Sequence, residues 1–244
     1  MEHYIVDGPM DFLEKNPAVI SLVGGGGKTT TMFALAEHYC RLGKRVLVTT
    51  TTHIGKPDRY YASDKKEVFQ LWKQGHYAVV GQKEKKSGLP DKLKSLPEPE
   101  LEMYMELADM VLIEADGAKC LPCKIPNQTE PVIPAACDLV IGVMGMSAWN
   151  QPVKTHCFRW EQVSSDLTER FADNDRITTE LMAEILSSPN GTRKGAETRN
   201  YHVILNQCDT PERIRAAEEI REKLSQRGIR QVSLTCYKEK QGNL

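Results

Sequence analysis

The sequence contains no apolar run of about 18 residues, and this absence excludes a transmembrane helix. The first residues, Met1-Glu2-His3-Tyr4, lack the basic region and long apolar stretch of a signal peptide, so we expect a cytoplasmic protein without a membrane partner. Neither sign of charge dominates, because 32 Lys and Arg against 33 Asp and Glu give a net charge of −1. This balance argues against a nucleic-acid partner held by phosphate contacts.

Cysteines are scattered through the 244 residues, and their number, seven, is odd. This distribution fits reduced thiols better than a disulfide framework. The one close pair is Cys120 and Cys123, a C-x-x-C motif that can bind a soft metal or cycle through a disulfide. Because no second C-x-x-C and no histidine pair stands at metal spacing, ordinary loop cysteines are the favoured interpretation.

A glycine-rich segment is the most informative feature that is present. The apolar run 19–23 leads into Gly24, Gly25, Gly26, Gly27, Lys28, Thr29 and Thr30. Glycines let a backbone close around phosphate oxygens, and a helix that begins here offers free N–H donors. In such a loop Lys28 neutralises the terminal phosphates and the hydroxyl of Thr29 ligates Mg²⁺. We therefore predict that this segment binds ATP or GTP with Mg²⁺.

The loop departs from the common form G-x-x-x-x-G-K-[ST], because Leu22 occupies the place of the first glycine. The shorter form G-x-x-G-K-T, residues 24–29, resembles the loop of amide-forming ligases of the cell-wall precursor type. The alternative is a glycine-rich turn that only packs a helix against a sheet. Lys28 and Thr29 favour phosphate binding, since a packing turn does not need them.

Apolar β-branched runs alternate with helical patterns, which predicts an α/β fold with helices on both faces of a mostly parallel sheet. The strand candidates are seven segments: 19–23, 45–50, 77–81, 109–114, 138–143, 201–206 and 230–235. The spacing of apolar residues predicts helices over 28–42 and 211–227, each followed by a glycine. We expect a three-layer fold of the P-loop NTPase type.

One domain over residues 1–244 is the simplest organisation. Two stretches are predicted as insertions. Residues 82–101 carry charges and prolines typical of an exposed connection, and residues 145–200 contain short helices predicted near 159–171 and 178–187.

Two acids follow the fourth strand candidate, Glu114 and Asp116. In open α/β sheets ligands gather at the carboxyl ends of strands, and a carboxylate there can hold Mg²⁺ beside the phosphate loop. Glu114 is the favoured metal ligand together with Thr29. We expect Asp116 to position the attacking group or to respond to the terminal phosphate. The alternative is a strand end with solvated acids.

Polar residues also end the second strand candidate. Thr51 and Thr52 are candidates for ligating Mg²⁺ or contacting a second substrate, and His53 is a candidate acid, base or phosphate donor. A polar strand terminus is the alternative, since threonine suits extended chain by propensity alone.

The strand candidate 201–206 leads into Asn206, Gln207 and Asp209, which are similar to the N-K-x-D motif of GTP-binding proteins. There the carboxylate accepts hydrogen bonds from guanine and penalises adenine. Asn206 and Asp209 are therefore predicted base contacts. Gln207 replaces the lysine of the motif, so guanine and adenine both stay open, and Asp209 can alternatively cap the following helix.

The segment 117–134 follows the acids directly and carries several prolines. It also contains the charged residues Lys119, Lys124 and Glu130. Loops after such strands often carry function. A lysine here, above all Lys124, can bind a substrate carboxylate or phosphate. An ordinary surface lysine is the alternative.

These motifs together, in order and spacing, resemble the YqeC-like family of accessory proteins of selenium-dependent molybdenum hydroxylases. The segments that carry the resemblance are 24–30, 50–53, 114–117, 124–126, 130–134 and 138–143, together with the loop that leads to Asn206. The resemblance covers nearly the whole chain. It implies a P-loop nucleotide-binding protein that acts in the maturation of a molybdenum enzyme whose cofactor carries labile selenium. Gln207 and the C-x-x-C pair depart from the family pattern.

Two functions of different classes remain open. The leading one is a Mg²⁺-dependent NTPase or phosphoryl-transfer enzyme with Lys28, Asp116 and His53 as catalytic residues and a selenium- or molybdopterin-related second substrate. The alternative is a nucleotide-gated binding module that delivers the cofactor to the hydroxylase apo-protein. A third possibility is that the loop binds the phosphate of a pterin cofactor and no nucleotide.

Overall fold

The computed structural model describes residues 2–7, 18–84, 91–162 and 176–238. Its strands are β1 (Glu2–Asp7), β2 (Val19–Gly24), β3 (Val46–Thr50), β4 (His53–Gly55), β5 (Ala78–Val79), β6 (Gln82–Glu84), β7 (Lys92–Lys94), β8 (Met110–Glu114), β9 (Cys123–Lys124), β10 (Leu139–Gly145), β11 (Cys157–Phe158), β12 (Asn200–Asn206) and β13 (Val232–Lys238). Its α-helices are α1 (Lys28–Arg41), α2 (Lys65–Lys73), α3 (Glu98–Leu107), α4 (Val153–His156), α5 (Thr179–Ser187) and α6 (Pro211–Gln226). Short 3-10 turns cover Met146–Ala148 and Trp160–Gln162.

The central sheet has the strand order β1-β13-β12-β10-β2-β8-β3-β5. Seven of these strands run parallel, and β1 pairs antiparallel with β13 at one edge. Each of the seven predicted strands is present, so the predicted α/β class with a mostly parallel sheet is confirmed. Since β8 pairs directly with β2, Glu114 at the end of β8 and Asp116 just after it lie beside the glycine loop that follows β2.

Helices cover both faces of the sheet, which confirms the three-layer architecture. On α1, the predicted apolar positions Met32, Leu35, Ala36 and Tyr39 are all buried, and they pack with Ile20 and its neighbours on one face. On the other face, Val19 and Val23 pack with side chains of α2 and α3. Successive residues of β2 thus point to opposite layers, as the period of a strand requires.

The helix ends follow the sequence signals. Gly43, with a φ of 77°, follows α1, and Gly228, with a φ of 82°, follows α6. The N-cap of α6 is Thr210, whose hydroxyl accepts the N–H of Arg213, so Asp209 does not take the capping role.

The stretches predicted as insertions contain ordered elements. Strands β6 and β7 from 82–101 form a three-stranded antiparallel sheet with β4, and Leu93 at its centre is fully buried. From 145–200, α5 confirms the helix predicted near 178–187 and packs its apolar face in one core cluster with α6. The helix predicted near 159–171 falls mostly outside the described residues. Among the helices that the structure does describe, none combines the length and the apolar character needed to cross a membrane.

Candidate phosphate-binding site

The glycine segment forms a loop between β2 and α1, and α1 begins directly after Gly27. The first intrahelical hydrogen bond runs from the N–H of Thr31 to the carbonyl of Gly27, at 2.9 Å. The amides from Gly27 to Thr30 therefore precede the helical ladder and are free to bind an anion at the helix N-terminus. A cavity of about 590 Å³ opens over this stretch, a volume typical of small-molecule sites.

The amides of the first three glycines have protein partners. Asp116 Oδ2 accepts the N–H of Gly24 at 3.0 Å. The carbonyls of Val143 and Leu121 accept the N–H groups of the next two glycines, at 2.9 and 3.0 Å. The predicted phosphate contacts of Gly24 and Gly25 stay a prediction, because the residues that line the cavity begin at Gly26.

Gly26 and Gly27 show why the loop requires glycine. Gly26 has a φ of 73°, and a Cβ there would lie 2.1 Å from the backbone nitrogen of Gly145. Gly27 has a φ of 120°, and a Cβ there would lie 2.2 Å from Nδ2 of Asn206. Both conformations are strained for other residues, so the loop depends on glycine for its close approach to β10 and β12.

Glu114 reaches the first turn of α1. Its Oε2 accepts a hydrogen bond from the hydroxyl of Thr29 at 2.6 Å, and its Oε1 lies 3.8 Å from Nζ of Lys28. Burial raises the pKa of Glu114, and the nearby Lys28 and the Thr29 hydrogen bond oppose that shift. The predicted metal pair is therefore brought together beside the free helix amides.

Lys28 lies between the two predicted acids. Its Nζ donates to the carbonyl of Gly24 at 2.6 Å and stands 3.2 Å from Oδ1 of Asp116. The side chain is 4% exposed, yet Lys28 lines the cavity. The ammonium group of Lys28 therefore places one positive charge against the backbone of the loop.

A chain of ion pairs continues from Asp116 away from the loop. Nζ of Lys124 lies 2.9 Å from Asp116 Oδ2 and 2.7 Å from Glu130 Oε2, and Glu130 also accepts from Arg159 at 2.6 Å. Burial alone would raise the pKa of Glu130, but the hydrogen bonds from Lys124 and Arg159 lower it. Lys124 is 1% exposed, so in this conformation it connects two carboxylates and does not face a substrate as predicted.

Asn206 is tied to the loop from the side of β12. Its amide Nδ2 donates to the carbonyl of Gly26 at 2.8 Å, and its Oδ1 accepts from the hydroxyl of Thr235 at 3.0 Å. In the structure Asn206 thus contacts the loop backbone, and its predicted base contact stays a prediction. Gln207, with a φ of 65°, accepts from the hydroxyl of Ser147 at 2.5 Å. Asp209 is partly exposed and pairs with Arg213 at 2.6 Å.

The threonines after β3 lie beside β8, one strand further from the loop. The hydroxyl of Thr51 donates to the carbonyl of Val132 at 2.7 Å, and the amide of Thr52 donates to the hydroxyl of Thr50 at 3.0 Å. His53 lines the cavity, and its Nε2 stands 3.6 Å from a carboxylate oxygen of Glu84. Of these candidates, His53 is therefore the one that the structure places at the cavity.

The C-x-x-C pair is not a structural unit. Cys120 is exposed and lines the cavity, whereas Cys123 is buried with its Sγ 3.2 Å from Sγ of Cys157. The hydrogen bond from Cys123, together with burial, raises the pKa of Cys157. Cys123 and Cys157 are directly opposite each other on the paired strands β9 and β11. The C-x-x-C spacing does not indicate that Cys157 is the neighbour of Cys123.

The sequence interpretation missed several cavity residues, and three of them carry a charge or an aromatic ring: Lys92, Phe158 and Arg159. They come from the two stretches predicted as insertions, where no local pattern marks them. The ion pair between Arg159 and Glu130 joins residues 29 positions apart, and only the fold brings these together.

The donor set fits Mg²⁺. The hydroxyl of Thr29 and the carboxylate of Glu114 are hard oxygen ligands 2.6 Å apart, and Mg²⁺ at nucleotide sites takes one or two protein ligands besides phosphate oxygens and water. In the described part of the chain, no three Asp, Glu, His or Cys side chains cluster in a way that could hold a metal on their own.

Two comparisons identify relatives. Residues 20–161 match the family model described as YqeC protein. The chain is also similar to a protein of Escherichia coli (strain K12) named Uncharacterized protein YqeC, with 31% identity over 245 residues. That alignment covers 93% of this chain and 90% of the relative. The glycine loop, both acids and the buried ion chain all lie inside the matched region, and the chain belongs to the YqeC family.

Proposed function

We propose that this protein is a Mg²⁺-dependent nucleoside-triphosphate-binding protein that hydrolyses the nucleotide or transfers its terminal phosphoryl group. The observation that carries the proposal is the contact between the Thr29 hydroxyl and Glu114, at 2.6 Å, beside the free amides that start α1. A glycine turn that only packs a helix needs neither this hydroxyl nor a buried carboxylate behind it.

Each group has a distinct task in this proposal. The amides of Gly27 to Thr30 bind phosphate oxygens, and the ammonium of Lys28 neutralises charge that develops on the transferred group. Thr29 and Glu114 hold Mg²⁺, which when bound supplies charge neutralisation at the phosphates. Asp116 keeps Lys28 in place through its 3.2 Å contact, and His53 at the cavity edge is a candidate to position the acceptor.

We favour GTP over ATP on the basis of Asp209. Asn206 ties the carboxyl end of β12 to the loop, and Asp209 follows three residues later with a partly exposed carboxylate. Two carboxylate oxygens match two adjacent N–H donors of guanine, whereas adenine presents an acceptor at the corresponding edge. Asp209→Asn is expected to remove a preference for GTP.

The cellular role that we propose follows from the family resemblance alone. It is the maturation of a selenium-dependent molybdenum hydroxylase, with a selenium- or molybdopterin-related molecule as second substrate. The second candidate function is a nucleotide-gated module that delivers the cofactor to the apo-hydroxylase. It is favoured by the segment 117–134, which connects Asp116 to Glu130 and can respond to the terminal phosphate.

Calorimetric titration of the full chain with GTP and ATP, each with and without Mg²⁺, tests the proposal. We expect Mg²⁺-dependent binding that weakens roughly tenfold or more in Lys28→Ala, because charge-assisted phosphate contacts are among the stronger hydrogen bonds. Lys66→Ala, at an exposed lysine of α2, is the matched control and should bind as the parent does. Equal affinity in Lys28→Ala would disprove the assigned role of Lys28.

Hydrolysis assays separate the two candidate functions. Stimulation by a small selenium or pterin compound alone supports the enzyme. Stimulation that needs the apo-hydroxylase supports the delivery module.

A further inference from the structure

The cavity is also lined by residues outside the phosphate loop. They are residues 117–121, which follow β8, Phe158 at the end of β11, Arg159 directly after it, and Lys92 of the small antiparallel sheet. We call the side chains of Lys92, Lys119, Phe158 and Arg159 the cationic wall. None of these residues belongs to the loop or to the predicted metal pair.

Two of its cations converge on one aromatic ring. Nζ of Lys119 lies 5.0 Å from the ring centroid of Phe158, and Cζ of Arg159 lies 4.6 Å from the same centroid. Cation–π attraction holds both groups at the ring. Two like charges beside one ring repel each other, so an anion within reach of both would stabilise this arrangement.

The charge balance of the two walls differs. At the loop, Lys28 stands near both Glu114 and Asp116. On the cationic wall Arg159 has Glu130, but Lys92 and Lys119 have no carboxylate at ion-pair distance within the described residues. Glu114 is the single acid among the described residues that line the cavity. The cationic wall therefore brings unbalanced positive charge to the cavity.

The backbone of this wall is strained. Lys119, Cys120 and Arg159 have φ angles of 47°, 61° and 62°, in the left-handed region that non-glycine residues seldom adopt. They make up half of the six such residues in the described ranges, and all three line this one cavity. Strain of this kind is concentrated at ligand sites, where it aims side chains.

We propose that the cationic wall binds the carboxylate or phosphate group of a second small molecule, which lies beside the nucleotide and faces its terminal phosphate. The inference rests on the proposed function, because the nucleotide fills the loop side of the same cavity. It specifies that function further, since it makes the second substrate an anion. Phe158 provides an apolar surface against which the body of that molecule packs.

The alkylation rate of Cys120 can report the positive potential of the cationic wall. Of the seven cysteines, Cys120 alone is exposed, and it follows Lys119 directly. Iodoacetate carries a carboxylate and iodoacetamide does not, so the ratio of their alkylation rates at Cys120 reports the local positive potential. We expect a higher ratio than in a free cysteine peptide, and a drop of roughly threefold or more in Lys119→Gln. Lys94→Gln is the matched control, since Lys94 is exposed on the same strand as Lys92 but outside the cavity lining.

A second measurement tests binding with the loop side occupied. The full chain is loaded with Mg²⁺ and a non-hydrolysable GTP analogue, and alkylation of Cys120 by iodoacetamide is followed by mass spectrometry. Inorganic phosphate or malonate should slow the reaction in the parent and in Lys94→Gln, but not in Lys119→Gln. Protection by phosphate alone identifies a phosphorylated second substrate, and protection by malonate alone identifies a carboxylate.

Three results would overturn the inference. They are an unchanged alkylation ratio in Lys119→Gln, no protection by either anion, and complete protection by the analogue alone, which would assign the wall to the nucleotide. If calorimetry detects no nucleotide binding, the proposed function is disproved independently of this inference. The alkylation ratio and the anion protection are then read on the nucleotide-free protein.

Discussion

The ion pairs behind the phosphate loop and those between α5 and α6 use the same side-chain types in different surroundings. The side chains of Lys28, Asp116 and Lys124 are between 1 and 4% exposed. Those of Glu180 and Lys223, which pair across the two helices at 3.0 Å, are 54 and 27% exposed. Water screens the second set and hardly reaches the first.

The comparison separates two uses of charge. Pairs at the surface of α5 and α6 each contribute little, and their partners can be exchanged. The buried chain from Lys28 to Arg159 is costly to desolvate, so each member depends on its neighbours for compensation. We infer that its value lies in fixed geometry, because it holds Lys28 and Glu114 at the loop before any ligand arrives.

The largest expected effect is that of breaking the buried chain at its centre. Lys124→Met keeps the length of the side chain but leaves Asp116 and Glu130 without their shared cation. We expect the free energy of unfolding, measured by urea denaturation, to fall by roughly 3–5 kcal/mol, as for other buried pairs that lose one partner. A fall below about 1 kcal/mol would show that water compensates these carboxylates and that the two regions do not differ.

A smaller effect is expected for Glu114→Gln, which retains an acceptor for the Thr29 hydroxyl. Mg²⁺-dependent nucleotide affinity should drop roughly tenfold or more, since even changes behind a metal ligand cost 10–100-fold in affinity. Calorimetry at fixed nucleotide concentration measures this. The same loss without added Mg²⁺ would show that Glu114 does not act through the metal.

The metal-free stability of the parent, relative to that of the same variant, depends on pH. Burial raises the pKa of Glu114, so the folded state favours the protonated carboxyl. The stabilising contribution of Glu114 to the free energy of unfolding is complete at pH values below the ordinary pKa of a carboxyl group. It is lost as the pH rises through the raised pKa. The parent should therefore lose stability relative to Glu114→Gln between acidic and neutral pH. If the free energies of unfolding of the parent and of Glu114→Gln differ by the same amount at every pH, the raised pKa is contradicted.

The smallest effect is expected on the exposed side. Arg213→Gln removes the pair with Asp209, in which the two side chains are 30 and 42% exposed. Pairs of this kind on a helix contribute about 0.3–0.5 kcal/mol, so urea denaturation should detect a change of that size or none. A loss comparable to that of Lys124→Met would remove the distinction between buried and exposed pairs.

The sequence predicted the parts of the fold that local patterns encode. The seven parallel strands are apolar runs buried on both faces, and α1 shows its buried stripe at helical spacing. In contrast, β1 was not predicted, because its pairing with β13 joins opposite ends of the chain. Helix α2 was also missed, although its cap at Asp64 and its buried Val68 and Trp72, four residues apart, are a recognisable signal.

The sequence predicted those site residues that lie in recognisable motifs of a single segment. Lys28, Thr29 and Glu114 were recognised from motifs at strand ends, and the structure brings their side chains together. The internal contacts of Lys124 and Asn206 were not foreseen, because a residue's partners depend on which strands are neighbours. Arg159 lies in a stretch without periodicity, and no pattern in the sequence connects it to Glu130.

The bond from Asn206 to Gly26 has a consequence for dissecting this protein. The family match ends at residue 161, but the groups that brace the loop from behind, Asn206 and Thr235, lie well beyond it. A truncated chain limited to residues 20–161 would contain every residue that touches phosphate in our proposal and would still lack the scaffold that shapes the turn. The carboxyl-terminal third of the molecule thus supports the loop of the proposed anion site, and a fragment that retains these contacts must extend at least through β13.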